Sequence, residues 1–237
     1  MPSRTVDLVG DYAGDELFII DGDSLLLHVF SDSKLDFSPG FQILHAIYLI
    51  ETFLHKLQRR RCVFHIAFSA ENANLCIPIG VEPQRRYRYL LTREIVIRHL
   101  KEHASAEEFA VPVHELKSYE SDEFFQYLRR VGAYFFMCHD GAFPKHLLEQ
   151  GQLDSDDTDS SMSDEESMEG NEMSQKNVTV DASMTQAFQC RTGLRKMIYR
   201  LMMHGYNVAL INELEFRDTK VSLLIVQIPI QVPSNAK

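Results

Sequence analysis

Two aspartates at the end of a short apolar run are the residues of this chain most able to do chemistry. Asp21 and Asp23 follow the apolar residues 17–20 and are separated by a single glycine. An apolar run closed by a turn signal is typical of a buried parallel strand, and ligands bind outside the carboxyl ends of such strands. Two close carboxylates repel each other, and a hard divalent cation such as Mg²⁺ or Mn²⁺ offsets that repulsion. The spacing therefore predicts a metal site at this strand end.

Three further acids follow other apolar runs: Asp140, Glu71 and Asp218. We predict that Asp21, Asp23 and Asp140 are catalytic residues and metal ligands, and that Glu71 and Asp218 are additional metal ligands. Converging carboxylates of this kind hold a metal that orients water and neutralises the charge on a phosphate, as a phosphodiesterase requires. The alternative is structural, because Asp is also common after strands, where it favours turns and caps the next helix.

A cluster of arginines and tyrosines is the second candidate site. Its members are Arg85, Arg86, Tyr87, Arg88, Tyr89 and Arg93. Arginines pair with phosphates and aromatic rings stack on bases, so such a cluster is typical of a surface that binds single-stranded RNA. The alternative is a charged outer face of a helix, since residues 86–103 have a helical pattern.

The elements that would position these residues alternate along the chain. Strands are predicted over residues 17–20, 62–68, 109–114, 133–138 and 206–211. Helices are predicted over residues 43–61, 86–103, 122–130 and 187–204. Strands that alternate with helices indicate an α/β fold of three layers around a mostly parallel sheet.

The net charge of −10 comes from one segment of the chain. Ten acidic residues and no Lys or Arg lie between positions 149 and 172, and the rest of the chain has 24 acidic and 24 basic residues. A nearly neutral folded part is compatible with RNA as a partner. Residues 150–185 have few large apolar side chains, which predicts a disordered acidic insert. Its serines lie among acids and are predicted phosphorylation sites.

Composition and motifs exclude several other classes. The four cysteines lie far apart without a CxxC pair, so neither a zinc knuckle nor a disulfide framework is indicated. The N-terminus lacks the apolar region of a signal peptide, and no run is long enough to span a bilayer. We therefore expect a cytoplasmic protein without a membrane partner. No G-x-x-x-x-G-K-[ST] motif is present, so this chain is not expected to carry an ATPase motor.

Five stretches resemble the N-terminal region of large superkiller-like DExD/H-box (DEAD/DEAH-box) RNA helicases of the fungal type. These stretches are residues 7–14 (DLVGDYAG), 18–27, 35–42, 137–142 and 205–211. In that family the region has a PIN-like fold, similar to RNA nucleases, and precedes an ATP-driven helicase core.

The resemblance implies a particular division of the chain. Residues 1–149 and 186–220 are expected to form one PIN-like domain around the acidic insert, and residues 221–237 depart from the family. Since the helicase core is absent from this sequence, we expect a truncated product. The implied partners are RNA and helicase or exosome-related proteins.

Three hypotheses about function follow. The first is a PIN-like module that binds RNA or cuts it with Mg²⁺ or Mn²⁺; PIN nucleases have an acid at the end of the second strand, whereas Ser69 and Ala70 precede Glu71 here. The second is a phosphatase similar to haloacid dehalogenases, with Asp21 as nucleophile and Asp23 as general acid. The third is a non-catalytic interaction domain whose acidic segment recruits basic partners.

Overall fold

The computed structural model describes residues 3–12, 14, 16–32, 34–35, 42–103, 111–139, 141, 176–211 and 220–224. Within these ranges the strands are β1 (Ser3–Asp7), β2 (Leu17–Asp21), β3 (Val63–Ser69), β4 (Val113–Leu116), β5 (Phe135–Cys138), β6 (Asn207–Leu210) and β7 (Lys220–Leu224). The α-helices are α1 (Leu8–Tyr12), α2 (Gly22–Phe30), α3 (Ile43–Arg59), α4 (Arg86–His103), α5 (Asp122–Val131) and α6 (Lys176–Met203). Two short 3-10 helices, Ala73–Cys76 and Pro83–Arg85, lie between β3 and α4.

The strands form one sheet in the order β1-β7-β6-β5-β2-β3-β4. The five strands from β6 to β4 are parallel, and β2 lies at their centre with Ile20 opposite Ile66 on one side and Met137 on the other. Strand β7 pairs antiparallel with both β6 and β1. The predicted α/β fold with a mostly parallel sheet is confirmed.

Two apolar layers pack on opposite faces of the sheet because successive strand residues point to opposite sides. Phe18 and Ile20 of β2 pack in the layer that contains α2, α3 and α4, and the Phe18 ring stacks on that of Phe135 at 4.8 Å between centroids. Ile19 packs in the other layer, with α5 and α6. Each such side chain contributes about 1.5–3 kcal/mol on burial. The carboxyl end of β2, where Asp21 lies, is therefore packed on both faces of the sheet.

Two helices differ from the sequence-based expectation. Helix α2 was not expected, because eight of its nine residues are buried and uniform burial removes the apolar periodicity of a surface helix. Helix α6 begins at Lys176, inside the segment 150–185 predicted to be disordered; residues 150–175 lie outside the described residues. None of the helices in the described ranges is both long enough and apolar enough to cross a membrane.

Strands β1 and β7 extend the sheet beyond the predicted elements. The segment after residue 220 was expected to be a divergent tail that pairs at a sheet edge or stays loose. Residues 220–224 instead form β7, which lies between β6 and β1, so that within the described residues β1 is the edge strand on this side of the sheet. Strand β1 has the sequence SRTVD, whose single large apolar residue gives no strand pattern.

Candidate functional site at the carboxyl edge of the sheet

Asp21 ends β2 and caps the helix that follows. Its side chain accepts hydrogen bonds from the Ser24 backbone N–H at 3.0 Å and from Ser24 Oγ at 2.5 Å. The Ser24 hydroxyl in turn accepts from the His139 N–H at 2.9 Å, which ties β5 to the start of α2. Asp21 and Asp23 are both 0% exposed. Asp21 is therefore a helix cap, which is the structural alternative considered for the aspartates at strand ends.

Tyr119 links Asp21 to the backbone of β3. The Tyr119 hydroxyl lies 2.6 Å from Asp21 Oδ1 and 2.8 Å from the Ala67 carbonyl oxygen. A tyrosine hydroxyl has one hydrogen, so it donates to only one of these oxygens. Both short contacts are hydrogen bonds only when Tyr119 donates to Ala67 and Asp21, carrying a proton, donates to the tyrosine oxygen. The geometry therefore favours a neutral Asp21.

Asp23 is paired with an arginine from α4. Arg93 Nε donates to Asp23 Oδ1 at 2.6 Å, and Arg93 Nη2 donates to Asp23 Oδ2 at 3.2 Å. The Ser69 N–H approaches the same Oδ2 at 3.4 Å, and Nη2 also donates to the Ser69 carbonyl at 3.1 Å. Arg93 is 4% exposed, and its guanidinium lies 5.4 Å from the centre of the Phe68 ring. A buried guanidinium thus neutralises Asp23.

Burial sets the protonation of this pair of acids. Loss of water raises the pKa of Asp21, against the lowering effect of its hydrogen bonds with Ser24 and Tyr119. Burial also raises the pKa of Asp23 to about 7, opposed by the hydrogen bonds from Arg93. One guanidinium is available for two carboxyls, so Asp23 is the ionised partner of Arg93 and Asp21 is the acid that keeps its proton.

The described carboxylates do not fit a divalent cation in this arrangement. All four side-chain oxygens of Asp21 and Asp23 already take part in hydrogen bonds. The positive charge beside Asp23 is supplied by the guanidinium of Arg93. Across the described ranges, no three His, Cys, Asp or Glu side chains form a group that could hold a metal ion. Glu71 is exposed in the loop after β3, whereas the two aspartates are buried. The predicted ligands Asp140 and Asp218 lie outside the described residues.

The predicted RNA-binding cluster divides between surface and interior. The Arg85 side chain is 56% exposed and pairs with Glu82 at 3.2 Å, and Tyr87 is 60% exposed. Arg88 donates from Nε to the Tyr87 hydroxyl at 3.3 Å and lies 5.8 Å from the centre of that ring. We name Arg85, Tyr87 and Arg88 the basic-aromatic surface.

The other members of the cluster face inward. The Tyr89 ring packs edge-on against Phe30 at 5.6 Å, on the margin of the core. Arg93 is the buried partner of Asp23 rather than an exposed cation. Both departures from the expected surface arise because one side of α4 packs against the core.

Arg86 lines a cavity of about 280 Å³ at the same edge of the sheet. The cavity is bounded by Glu71, Asn72, Asn74, Leu75, Ile77, Arg86, Gln189, Cys190 and Gly193. Arg86 Nε is buried and has no hydrogen-bond partner in the described part of the chain. The sequence predicted Glu71 and Arg86 separately, as a metal ligand and an RNA contact. It gave no sign that they share a cavity with α6.

Several residues of the site were not predicted from the sequence. Ser24 had a detectable signal, since a hydroxyl three residues after a strand-end aspartate suits a helix-capping arrangement. Tyr119 had none, because it is 98 residues from Asp21 along the chain.

Comparison with known proteins places the chain among helicase-associated domains. A family described as the PIN-like domain of ATP-dependent RNA helicase DDX60 matches residues 1–149. A stretch of 81 residues is 32% identical to an uncharacterized helicase of Dictyostelium discoideum, and covers 30% of this chain and 4% of that helicase. The match therefore spans only a small part of the length of this curated relative. No solved structure matches the chain. Both matches confirm the predicted resemblance to an N-terminal PIN-like region of a helicase.

Proposed function

We propose, since the chain belongs to the family of the PIN-like domain of ATP-dependent RNA helicase DDX60, that it is a module that binds single-stranded RNA without cutting it. The observation that carries this proposal is the buried ion pair between Asp23 and Arg93, at the strand end where a metal-dependent nuclease would hold its cation. In this domain the negative charge of Asp23 is neutralised by Arg93 inside the fold.

The state of Asp21 supports the absence of cleavage. A protonated, fully buried carboxyl that donates to Tyr119 is a poor ligand for Mg²⁺ or Mn²⁺, which bind ionised oxygen donors. The same burial weakens the phosphatase hypothesis, because a nucleophile has to be reached by its substrate.

The position of the basic-aromatic surface supports RNA binding. Arg85, Tyr87 and Arg88 are at the start of α4, beyond the carboxyl end of β3, where α/β sheets bind ligands. The exposed Tyr87 ring offers a stacking face for a base, and the arginines offer cations to phosphates. Backbone N–H groups at the start of a helix add to the positive potential there.

Within a whole helicase we propose that this module guides RNA toward the motor. Helicase and exosome-related proteins, a cytoplasmic location and phosphorylation of the acidic insert belong to the same proposal. The non-catalytic interaction hypothesis is compatible with it, since a domain that binds RNA without cutting acts by recruitment.

Incubation of a labelled single-stranded RNA with the wild-type chain in Mn²⁺ tests binding and cleavage together. We expect binding that shifts the anisotropy of the RNA while the RNA stays intact. The Asp21→Asn variant should bind equally well, because an asparagine amide can still donate to Tyr119 and accept from Ser24. Cleavage that depends on Mn²⁺ and is lost in Asp21→Asn would instead establish a nuclease. Absence of binding would refute the RNA-binding part.

A further inference from the structure

The cavity beside Arg86 combines donors, acceptors and apolar walls in a way that suits an unpaired base of RNA. Its lining residues include Arg86, Asn72 and Asn74, whose side chains carry N–H donors. They also include Glu71, which carries an acidic acceptor, and the apolar Leu75. From this lining we propose that the cavity is a subsite for one unstacked guanine base, which rests on the proposed binding of single-stranded RNA.

The size of the cavity favours one base over a larger ligand. Its volume, about 280 Å³, is just below the roughly 300 Å³ at which sites for drug-sized molecules begin. Proteins that recognise single-stranded RNA splay out individual bases and read the hydrogen-bonding edges of those bases. A base subsite next to Tyr87 would receive one nucleotide while the basic-aromatic surface contacts its neighbours.

The charge of Arg86 indicates what the ligand must provide. A guanidinium carries five N–H donors and no acceptor, so a ligand beside Arg86 in the cavity has to supply acceptors. A phosphate group would supply acceptors, but it would also face the Glu71 carboxylate in the same small cavity. A neutral ligand with acceptors on one edge and donors on another suits both charged side chains.

Guanine is the base that matches this pair of charges. It presents N7 and O6 as adjacent acceptors, the pair that arginine recognises in nucleic acids. It also presents N1–H and N2–H as two adjacent donors, which a carboxylate accepts together. Adenine and cytosine each offer a single amino group to Glu71, and uracil offers a single ring N–H.

Three twelve-nucleotide RNAs test the subsite: oligouridine alone, and oligouridine with one central guanosine or one central adenosine. We expect the guanosine RNA to bind wild type about tenfold more tightly than the other two, the discrimination of one good two-hydrogen-bond base contact. Glu71→Gln should remove this preference and leave the affinity for oligouridine unchanged, because the basic-aromatic surface is intact. Glu102→Gln, which changes an exposed glutamate of α4 (59% exposed side chain), is the matched control and should keep the preference.

A second variant fills the cavity without removing a charge. Gly193 lines the cavity from α6, and the nearest atom to an added Cβ there is Leu75 Cδ2 at 3.4 Å. Gly193→Leu should therefore fold, helped by the higher helix propensity of leucine, and should lose the guanosine preference.

The outcomes separate this inference from the proposed function. Equal binding of all three RNAs to wild type, a preference for adenosine, or a guanosine preference that survives both variants would overturn the guanine subsite and leave RNA binding in place. Failure of all three RNAs to bind would overturn both.

Discussion

Helix α4 carries arginines in two different settings, and the contrast separates what holds this domain together from what contacts its surroundings. Arg93 is buried against Asp23, whereas Arg88 lies beside the exposed Tyr87 ring one and a half turns earlier. Arg93 belongs to the same side of the helix as Val96 and Leu100, which are buried in the core. The inner arginine neutralises Asp23 within the fold, and the outer one contacts RNA in the proposed function. The side of α4 on which an arginine lies therefore decides whether it pairs with a buried acid or is available at the surface.

Removal of the inner arginine should have the largest effect on the molecule. Arg93→Ala leaves the Asp23 carboxylate buried without its partner, which typically costs about 3–5 kcal/mol. Urea denaturation followed by circular dichroism would measure the loss in the free energy of unfolding. Arg98→Ala is the matched control, because its side chain is 82% exposed and surface ion pairs such as the one with Glu102 contribute little to stability. A loss below about 1 kcal/mol in Arg93→Ala would show that the inner pair has no structural role.

The pH dependence of stability should report the second-largest effect. Burial raises the pKa of Asp21 above its ordinary value of 3.8. At pH values above 3.8 the folded state therefore still holds the Asp21 proton that the unfolded chain has released. Stability rises with pH only where the unfolded state binds more protons, so Asp21 makes the free energy of unfolding fall as pH rises.

The size of this effect is at most about 1.4 kcal/mol per pH unit for each such proton. His65 and His114 act in the opposite direction, since burial lowers their pKa values. Comparison of variants cancels that contribution. We expect Asp21→Asn to show a shallower fall than wild type between pH 5 and 7, and Asp122→Asn, at an exposed position in α5, to match wild type. Equal slopes in wild type and Asp21→Asn would contradict the neutral state assigned to Asp21.

These two tests concern residues that the sequence could only partly identify. The strand end at Asp21, the parallel sheet and the bounds of α4 were predicted from local apolar patterns, and the structure confirms them. The partners of the acids were not, because Arg93 and Tyr119 lie 70 and 98 residues away from them along the chain. Periodicity indicates which face of a helix is buried, but it does not indicate which charged side chain of another element a residue on that face contacts.

One local signal could have placed Arg93 correctly. It precedes Val96 and Ile97 by three and four residues and Leu100 by seven, the spacing of a single helical face. An arginine within an apolar stripe is rarely fully buried unless an acid pairs with it. The strand-end aspartates were the candidate partners that the sequence offered. The same reasoning leaves Tyr87 outside the stripe, where the structure exposes it.

The outer surface should affect RNA binding and leave stability nearly unchanged. Tyr87→Ala removes a 60% exposed ring and should weaken the binding of oligouridine about tenfold, within the range for loss of one base-stacking contact. Tyr48→Ala removes a ring of α3 with nearly the same exposure, 61%, and serves as the matched control. Fluorescence anisotropy titrations of the three proteins measure the difference. Equal weakening by both substitutions would mean that Tyr87 makes no specific contact with RNA.

The smallest expected effect concerns salt, and it tests the role of the outer arginine most directly. Each phosphate neutralised on single-stranded nucleic acid adds about 0.7 to the slope of log affinity against log salt concentration. Arg88→Ala should therefore reduce that slope by about 0.7, while Arg98→Ala, ten residues further along α4, should leave it unchanged. Titrations of oligouridine at several NaCl concentrations give both slopes. Because a stacking contact has little dependence on salt, Tyr87→Ala should lower affinity without changing the slope. If Arg88→Ala, like Tyr87→Ala, lowered the affinity without changing the slope, its effect would come from the lost contact with the Tyr87 ring. Arg88 would then not be the residue that neutralises a phosphate.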